Sequence, residues 1–258
     1  MNIDNICVLG NDGRMDYTAQ MFYDAGYEVS RDINDVIEAS VVVLPPPVGD
    51  KELAEIFPLL KVGQLVYGGA VSNRFIHECE LMEICAIDYL KWDYVTHKNA
   101  LLTANGIVRE ALSAGAVIER SNCLVAGYGF CGKTIADALT EHGAYVDVMV
   151  RKRGLSGEIN GKGYGFVNLN SVDSLQMEKY SYIFNTIPAM IFTEKFLKMF
   201  SGNIMIFDIA SAPGGTDLAY CRSKGIFAVN SLGIPGKEFP KEAGEIIAHA
   251  VLRDLSQK

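Results

Sequence analysis

The stretch that decides the fold reads Gly127-Tyr128-Gly129-Phe130-Cys131-Gly132. It follows an apolar run over 122–126 that predicts a β-strand, and it opens a helical pattern over 129–142. In that context Gly127 permits a tight turn, Gly129 lets a pyrophosphate approach the backbone, and Gly132 allows close packing of helix and strand. The free amides of the helix N-terminus would bind the phosphates. The stretch therefore predicts a dinucleotide-binding Rossmann domain, with these six residues at the cofactor.

The next predicted strand, 144–150, indicates which dinucleotide binds. An NAD site usually has Asp or Glu at the end of this strand to bind the ribose 2′-hydroxyl. Here the strand ends in Arg151-Lys152-Arg153, and Asp147 lies too early in it for that role. Basic side chains attract a 2′-phosphate, which Arg can bind through two hydrogen bonds. We therefore predict NADP as the cofactor; the alternative is a solvated basic loop.

Two further strand ends are predicted to reach the same crevice. Asn185-Thr186-Ile187-Pro188 begins at the end of a predicted strand over 181–185 and precedes a predicted helix over 189–200, and Asp208 ends another strand over 203–208. Ligands of open α/β sheets bind outside the carboxyl ends of the strands. We predict that these five residues contribute to the cofactor site, although each segment alone is also compatible with an ordinary strand-to-helix loop.

Strands alternate with helical segments along the whole chain, which predicts an α/β protein of two domains. We expect an N-terminal flavodoxin- or Rossmann-like substrate domain over 1–103 and a C-terminal NAD(P)-binding Rossmann domain over 121–237. A linking helix is predicted over 104–120, and the last stretch, 238–258, is predicted to be a helix that packs back toward the N-terminal domain. The glycine-rich segment 153–163 is predicted to be a flexible loop.

Composition narrows the class of protein further. The chain has 258 residues and a formal net charge of −8, which disfavours non-specific nucleic-acid binding. No apolar run approaches the ~20 residues that span a bilayer, and no secretory leader is evident, so we expect a cytosolic protein without a membrane partner. The six cysteines lack metal or redox spacing and are expected to be buried thiols, with no metal site. A homo-oligomer is left open.

Several segments beyond the glycine stretch resemble a known family, the A subunit of dipicolinate synthase. The similarity is strongest over 120–258 and weaker, though recognisable, at 10–14 and 43–47. The segments that carry it are Phe184-Asn185-Thr186-Ile187-Pro188, Asp208-Ile209-Ala210-Ser211-Ala212-Pro213-Gly214-Gly215-Thr216-Asp217, Gly233-Ile234-Pro235-Gly236-Lys237 and Pro240-Lys241-Glu242-Ala243-Gly244-Glu245-Ile246-Ile247.

The resemblance implies a two-domain, NADP-dependent oxidoreductase of sporulating bacteria. Its reaction would oxidise a dihydrodipicolinate-level intermediate of lysine biosynthesis to pyridine-2,6-dicarboxylate. The resemblance also implies a second subunit similar to flavoproteins. The substrate would accordingly be a small cyclic dicarboxylate.

Such a reaction removes a hydride and a proton from a ring that carries two carboxylates. Carboxylates are bound by Arg, Lys or clustered backbone amides. The candidate substrate-binding residues are Arg14, Lys237, Lys241 and the backbone of Gly214, Gly215 and Thr216. Each of the three basic side chains could instead be an ordinary surface charge.

Asp12 and Asp217 are the candidate catalytic residues, as a base or as groups that orient a water, and the sequence does not choose between them. The chain departs from the family at Leu102 and Asn105, where a proline and a glutamate are usual, and it is short for the family. These departures keep two alternatives open. One is a non-catalytic NADP-binding scaffold or sensor subunit, and the other is an NADP dehydrogenase acting on a different substrate, such as an amino acid.

Overall fold

The structure, a computed structural model, describes residues 4–172, 177–200 and 203–258. Parts of the two predicted domains, residues 1–3, 173–176 and 201–202, lie outside the described residues. Contacts divide the chain into two units. Unit 1 comprises Met1–Asn99 and Pro235–Lys258, and unit 2 comprises Ala100–Ile234.

Unit 1 contains a five-stranded parallel sheet in the order β2-β1-β3-β4-β5. This is the flavodoxin-like order, in which the strand order reverses between β1 and β3. The strands are short and apolar, as in Val41–Val43, where all three valines are buried because helices cover both faces of such sheets. The strands are β1 Asn5–Val8, β2 Glu28–Ser30, β3 Val41–Val43, β4 Leu65–Gly68 and β5 Cys85–Asp88.

The helices of unit 1 include the last helix of the chain, which packs against the first. Gly244 makes the close approach possible, since a Cβ there would overlap the Arg14 carbonyl oxygen. The Thr18 hydroxyl donates to the Gly244 carbonyl at 3.1 Å, so the contact is also hydrogen-bonded. The helices are α1 Gly13–Asp24, α2 Asp50–Ile56, α3 Asn73–Leu81 and α10 Pro240–Leu255, with 3₁₀ turns at Ile33–Ile37, Phe57–Leu59 and Tyr89–Lys91.

Unit 2 contains a six-stranded parallel sheet in the order β11-β10-β9-β6-β7-β8. Counted from β6, this is the dinucleotide-binding order, and the reversal falls between β6 and β9. The fold class predicted from the sequence, two α/β domains, is confirmed. The strands are β6 Asn122–Ala126, β7 Tyr145–Val150, β8 Gly165–Asn168, β9 Tyr182–Asn185, β10 Met205–Asp208 and β11 Phe227–Asn230.

The remaining helices either belong to unit 2 or connect the two units along the chain. α4 passes from unit 1 into unit 2, and α9 from unit 2 back into unit 1. The helices are α4 Asp93–Ser113, α5 Phe130–Glu141, α6 Ser156–Gly161, α7 Glu194–Leu197, α8 Leu218–Lys224 and α9 Ile234–Glu238, with 3₁₀ turns at Arg153–Leu155 and Leu169–Ser171.

The structure corrects three local predictions. The helix predicted over 104–120 is α4, which begins at Asp93 and ends at Ser113 because Gly115, at φ +91°, closes its C-terminus. The flexible loop predicted over 153–163 contains α6, whose Ile159 is fully buried and anchors it to the unit. The helix predicted over 189–200 is only α7, since the residues before it pair with Gly215.

Candidate functional site

The turn between β6 and α5 carries the predicted glycine pattern. Gly127 has a φ of +101°, a left-handed conformation that favours glycine, and a Cβ there would overlap the Thr186 hydroxyl. A Cβ on Gly132 would overlap the Gly127 carbonyl oxygen, so both glycines are required for packing. Gly129 is different, because a Cβ there would meet no atom of the described residues within 4 Å. The space beside Gly129 is therefore open to a ligand.

Gly129 is also the N-cap of α5 and provides no side-chain capping bond. The first amides of a helix have no intrahelical partner, so they are available to an anion together with the positive end of the helix dipole. Phe130 is about half exposed at the first helical position. The Cys131 side chain is partly buried, and burial raises the pKa of its thiol, which disfavours the reactive thiolate.

The basic segment lies at the end of β7, the strand that pairs with β6. Arg151, Lys152 and Arg153 are all exposed and form no ion pair with the described residues. Asp147 lies within β7, and its carboxylate accepts hydrogen bonds from Lys179 Nζ, at 2.6 Å, and from the Tyr180 hydroxyl. No carboxylate therefore stands at the end of β7 among the described residues.

A residue that sequence reasoning missed lies beside the glycine turn. Lys133 Nζ is 4.8 Å from the centroid of the Tyr128 ring and 2.7 Å from Glu158 Oε1 on α6. The ion pair ties α6 to the first turn of α5 and places a cation near the predicted phosphate site. The available signal was a lysine directly after the glycine pattern, in the first turn of the helix.

The ends of β9 and β10 are joined by a buried hydrogen-bond network. Asp208 accepts from Asn185 Nδ2 at 2.9 Å, from the Ala210 amide at 3.1 Å and from the Gly215 amide at 2.9 Å. The Asn185 side chain also binds both backbone polar groups of Ile187. Both side chains are almost fully buried, so they brace the loops rather than face a ligand. The sequence predicted that Asn185 and Asp208 contact the cofactor directly. Their burial within this network argues against such a contact for the two side chains.

Thr186 and the residues after it form the edge of the crevice between β6 and β9. The Thr186 amide and hydroxyl both donate to the Ala126 carbonyl, at 2.9 and 2.8 Å. Ile187 is half-buried and Pro188 is exposed. The strand reversal, the glycine turn and this segment are thus adjacent, as the sequence predicted for a ligand crevice.

The loop after β10 holds the backbone predicted to bind anions, but its glycine amides are already paired, Gly214 with the Ser211 carbonyl and Gly215 with Asp208, each at 2.9 Å. Gly214, at φ +82°, and Gly215 are buried, and a Cβ on Gly215 would overlap the Asn185 amide. The Thr216 hydroxyl is buried and has no hydrogen-bond partner among the described residues. Asp217 is the N-cap of α8 and accepts from the Tyr220 amide at 2.9 Å.

In unit 1, the turn after β1 holds Asp12, a predicted catalytic residue, and Arg14, a predicted substrate-binding residue. Asp12 is the N-cap of α1, and both of its carboxylate oxygens bind the Arg14 guanidinium, the shorter contact being 2.7 Å. Arg14 also donates to the Pro46 carbonyl at 2.6 Å. Gly236 lies against the guanidinium, since a Cβ there would be 2.6 Å from Arg14 Nε. Arg14 is therefore held in place, with only 15% of its side chain exposed.

The two predicted lysines are more loosely placed. Lys237 is exposed, in the helix that carries Gly236, and forms no ion pair with the described residues. Lys241 is exposed in the first turn of α10 and lies 4.0 Å from Glu245. Lys237 thus directly follows the glycine that lies against Arg14, whereas Lys241 has a local partner.

Two features of the described ranges concern metal and membrane binding. Among them there is no group of three His, Cys, Asp or Glu side chains that could hold a metal ion. Within the same ranges, every helix is too short or too polar to cross a bilayer.

The chain is similar in sequence to the A subunit of dipicolinate synthase from Bacillus subtilis (strain 168). The two are 31% identical over 166 residues, which are 64% of this chain and 56% of that protein, so the match spans little more than half of the relative. No protein-family model matches the chain.

Two solved structures have similar folds. The A subunit of dipicolinate synthase from Bacillus halodurans matches with a TM-score of 0.85 and 23% identity, covering 98% of this chain and 97% of that one. The transhydrogenase from Sinorhizobium meliloti matches with a TM-score of 0.73 and 13% identity, covering 98% and 93%. The predicted resemblance is confirmed: the chain is similar to the dipicolinate synthase A subunits in sequence and in fold.

Proposed function

We propose that this relative of the dipicolinate synthase A subunits is an NADP-dependent oxidoreductase that oxidises a dihydrodipicolinate-level intermediate to pyridine-2,6-dicarboxylate. One observation carries the proposal. An open glycine turn at the end of β6 adjoins an exposed basic segment at the end of β7, at the reversal point of a dinucleotide-type sheet. A pyrophosphate and a 2′-phosphate would need these two features on neighbouring strands.

The residues of unit 2 fit a nicotinamide dinucleotide. The open side of Gly129 and the α5 amides would bind the pyrophosphate, and Arg151, Lys152 and Arg153 would bind the 2′-phosphate. When bound, the nicotinamide would supply the hydride acceptor for the oxidation. NADP is favoured over NAD because Asp147, the acidic residue of β7, is committed to Lys179 and Tyr180.

The groups predicted to bind the carboxylates of the substrate are not equally available. We propose the cations of Arg14 and Lys237 in unit 1. In unit 2 the Gly214 and Gly215 amides already donate to the Ser211 carbonyl and the Asp208 carboxylate, each at 2.9 Å, which argues against the predicted anion nest. The buried Thr216 hydroxyl lacks a partner among the described residues and is retained as a candidate, because such a hydroxyl is costly unless a ligand binds it. Lys241 is the weaker candidate, since Glu245 lies near its ammonium.

The proton released in the oxidation needs an acceptor. Of the two predicted aspartates, Asp12 binds Arg14 through both carboxylate oxygens, whereas Asp217 uses Oδ1 for the Tyr220 amide. We therefore favour Asp217 as the base or as the group that orients a water. Asp12 would act as a positioning residue that holds Arg14.

The remaining expectations concern the partner subunit, the biological role and the cellular location of the protein. The relative is named as one subunit of a synthase, which supports a partner, and we propose the flavoprotein-like second subunit implied by the resemblance. A role in sporulation and a cytosolic location are parts of the same proposal.

Calorimetric titration with NADPH and NADH, repeated with pyridine-2,6-dicarboxylate, tests the proposal. We expect NADPH to bind more tightly than NADH and the dicarboxylate to change the NADPH affinity. NADPH binding without any dicarboxylate effect, and without turnover when the second subunit is added, would favour the non-catalytic scaffold or sensor instead. The absence of binding by both nucleotides would contradict the cofactor assignment.

A further inference from the structure

A cavity that the proposed reaction does not use lies within unit 1. It has a volume of about 640 Å³ and is formed by the last turns of α10 and the residues at the start of α4. This volume suits one small organic ligand. Its lining includes Trp92, Tyr94, His249, Ala250, Arg253 and Gln257.

One wall of the cavity is aromatic. The Trp92 indole is partly buried and packs edge-on against the Tyr67 ring, with centroids 5.9 Å apart at 61°. This contact restricts the movement of the indole. Tyr94 adds a second ring that is 40% exposed. A planar apolar ligand could contact both rings, and aromatic pairs of this kind contribute beyond simple burial.

The lining of the cavity also includes hydrogen-bond donors. His249 and Arg253 are four residues apart on α10 and so lie on the same face of that helix, and Gln257 follows the helix end at Leu255. Each of the three is exposed. Arg253 forms no ion pair with the described residues, so its guanidinium is available to a ligand.

The acidic residue of the cavity is already neutralised. Asp254 accepts a hydrogen bond from the Tyr67 hydroxyl at 2.7 Å and lies 3.3 Å from Lys258 Nζ. Burial, together with this carboxylate, raises the pKa of Tyr67, so the phenol stays protonated and remains a donor. The cavity therefore offers a net positive charge, from Arg253, beside an aromatic surface.

We propose that this cavity is a binding site for a planar aromatic carboxylate. The ring would stack on Trp92 and Tyr94, and the carboxylate would bind the planar guanidinium of Arg253, which matches its geometry. His249 and Gln257 would provide further donors. The site belongs to unit 1 alone and does not depend on the proposed dinucleotide site or reaction.

The single tryptophan of the chain reports directly on this site, because Trp92 is the only indole that contributes to fluorescence. Titration of the full-length protein with benzene-1,3-dicarboxylate should quench Trp92 fluorescence saturably. Cyclohexane-1,3-dicarboxylate has the same charge but no aromatic ring. We expect it to bind about tenfold more weakly, because it cannot stack on the Trp92 and Tyr94 rings. Calorimetry would verify both affinities without an optical signal.

Two arginine variants decide whether the cavity is the site. Arg253→Gln should weaken the aromatic dicarboxylate about tenfold, as one charge-assisted contact is lost. Arg74→Gln, at an exposed arginine on α3 that pairs with Glu78, should leave it unchanged. No saturable quenching at millimolar concentration, or equal affinities in the two variants, would overturn the proposal. NADPH titration of the same samples tests the proposed function separately.

Discussion

The two units contain the same backbone turn with different chemistry at its centre. In each, a buried strand ends at a glycine of positive φ, Gly10 at +106° after β1 and Gly127 at +101° after β6. A helix follows in both. The N-cap of that helix is Asp12 in unit 1 and Gly129 in unit 2.

This one difference determines which turn can bind an external anion. The Asp12 carboxylate accepts from the Arg14 amide and so occupies the helix N-terminus with the chain's own negative charge. The Gly129 cap leaves the corresponding amides and the space beside them free. A glycine turn before a helix therefore indicates a phosphate site only where the cap lacks an anionic side chain.

The largest expected effect comes from filling the open turn. Gly129→Val should weaken NADPH binding by about 100-fold or more, because the side chain would occupy the space proposed for the pyrophosphate. The fold should persist, since no atom of the described residues lies within 4 Å of a Cβ at this position. Calorimetry gives the affinity, and thermal unfolding tests the fold.

Gly161→Val is the matched control, because a Cβ at Gly161 also meets no atom of the described chain within 4 Å. It should leave NADPH affinity close to that of the unmodified chain. Retained affinity in Gly129→Val would show that the difference between the two turns has no part in cofactor binding.

The buried network at the ends of β9 and β10 should be the next most sensitive. Asp208 accepts three hydrogen bonds through its two carboxylate oxygens. Asp208→Asn replaces one of these oxygens with an NH₂ group, which would then face a donor instead of accepting from it. We expect a loss of about 2–3 kcal/mol in the free energy of unfolding of unit 2, the cost of an unsatisfied buried network. Urea denaturation measures it. Asp24→Asn, at an exposed position on α1, should change stability little, and equal losses would contradict the bracing role.

Cofactor selectivity gives a smaller effect. Changing Arg151 to Asp and Lys152 to Ala should weaken NADPH binding about 30-fold and NADH binding only slightly, since the pair is proposed to bind the 2′-phosphate alone. Comparative titrations with the two nucleotides measure the ratio. Lys162→Ala, which removes an exposed charge beyond α6, should leave the ratio unchanged. Equal losses for both nucleotides would remove the argument for NADP.

The contrast between the turns also shows what the sequence could reveal. Gly127 to Gly132 and the strand pattern predicted the sheet of unit 2, because turn geometry and strand burial are local properties. The inward orientation of Asn185 and Asp208 was not predictable, since it depends on partners that only the folded loops bring together. The helix α6 was missed because its glycines disfavour a helix, and the burial of Ile159 compensates.

The smallest effect concerns the closed turn of unit 1. Asp12→Ala removes the N-cap of α1 and the carboxylate that holds Arg14, and we expect a loss of about 1 kcal/mol in unfolding free energy. The variant should gain weak affinity for inorganic phosphate, because the first amides of α1 and the Arg14 guanidinium lose the carboxylate that now binds them. Urea denaturation and phosphate titration measure the two effects. New phosphate binding would show that the cap residue distinguishes the two turns, whereas its absence would contradict that comparison.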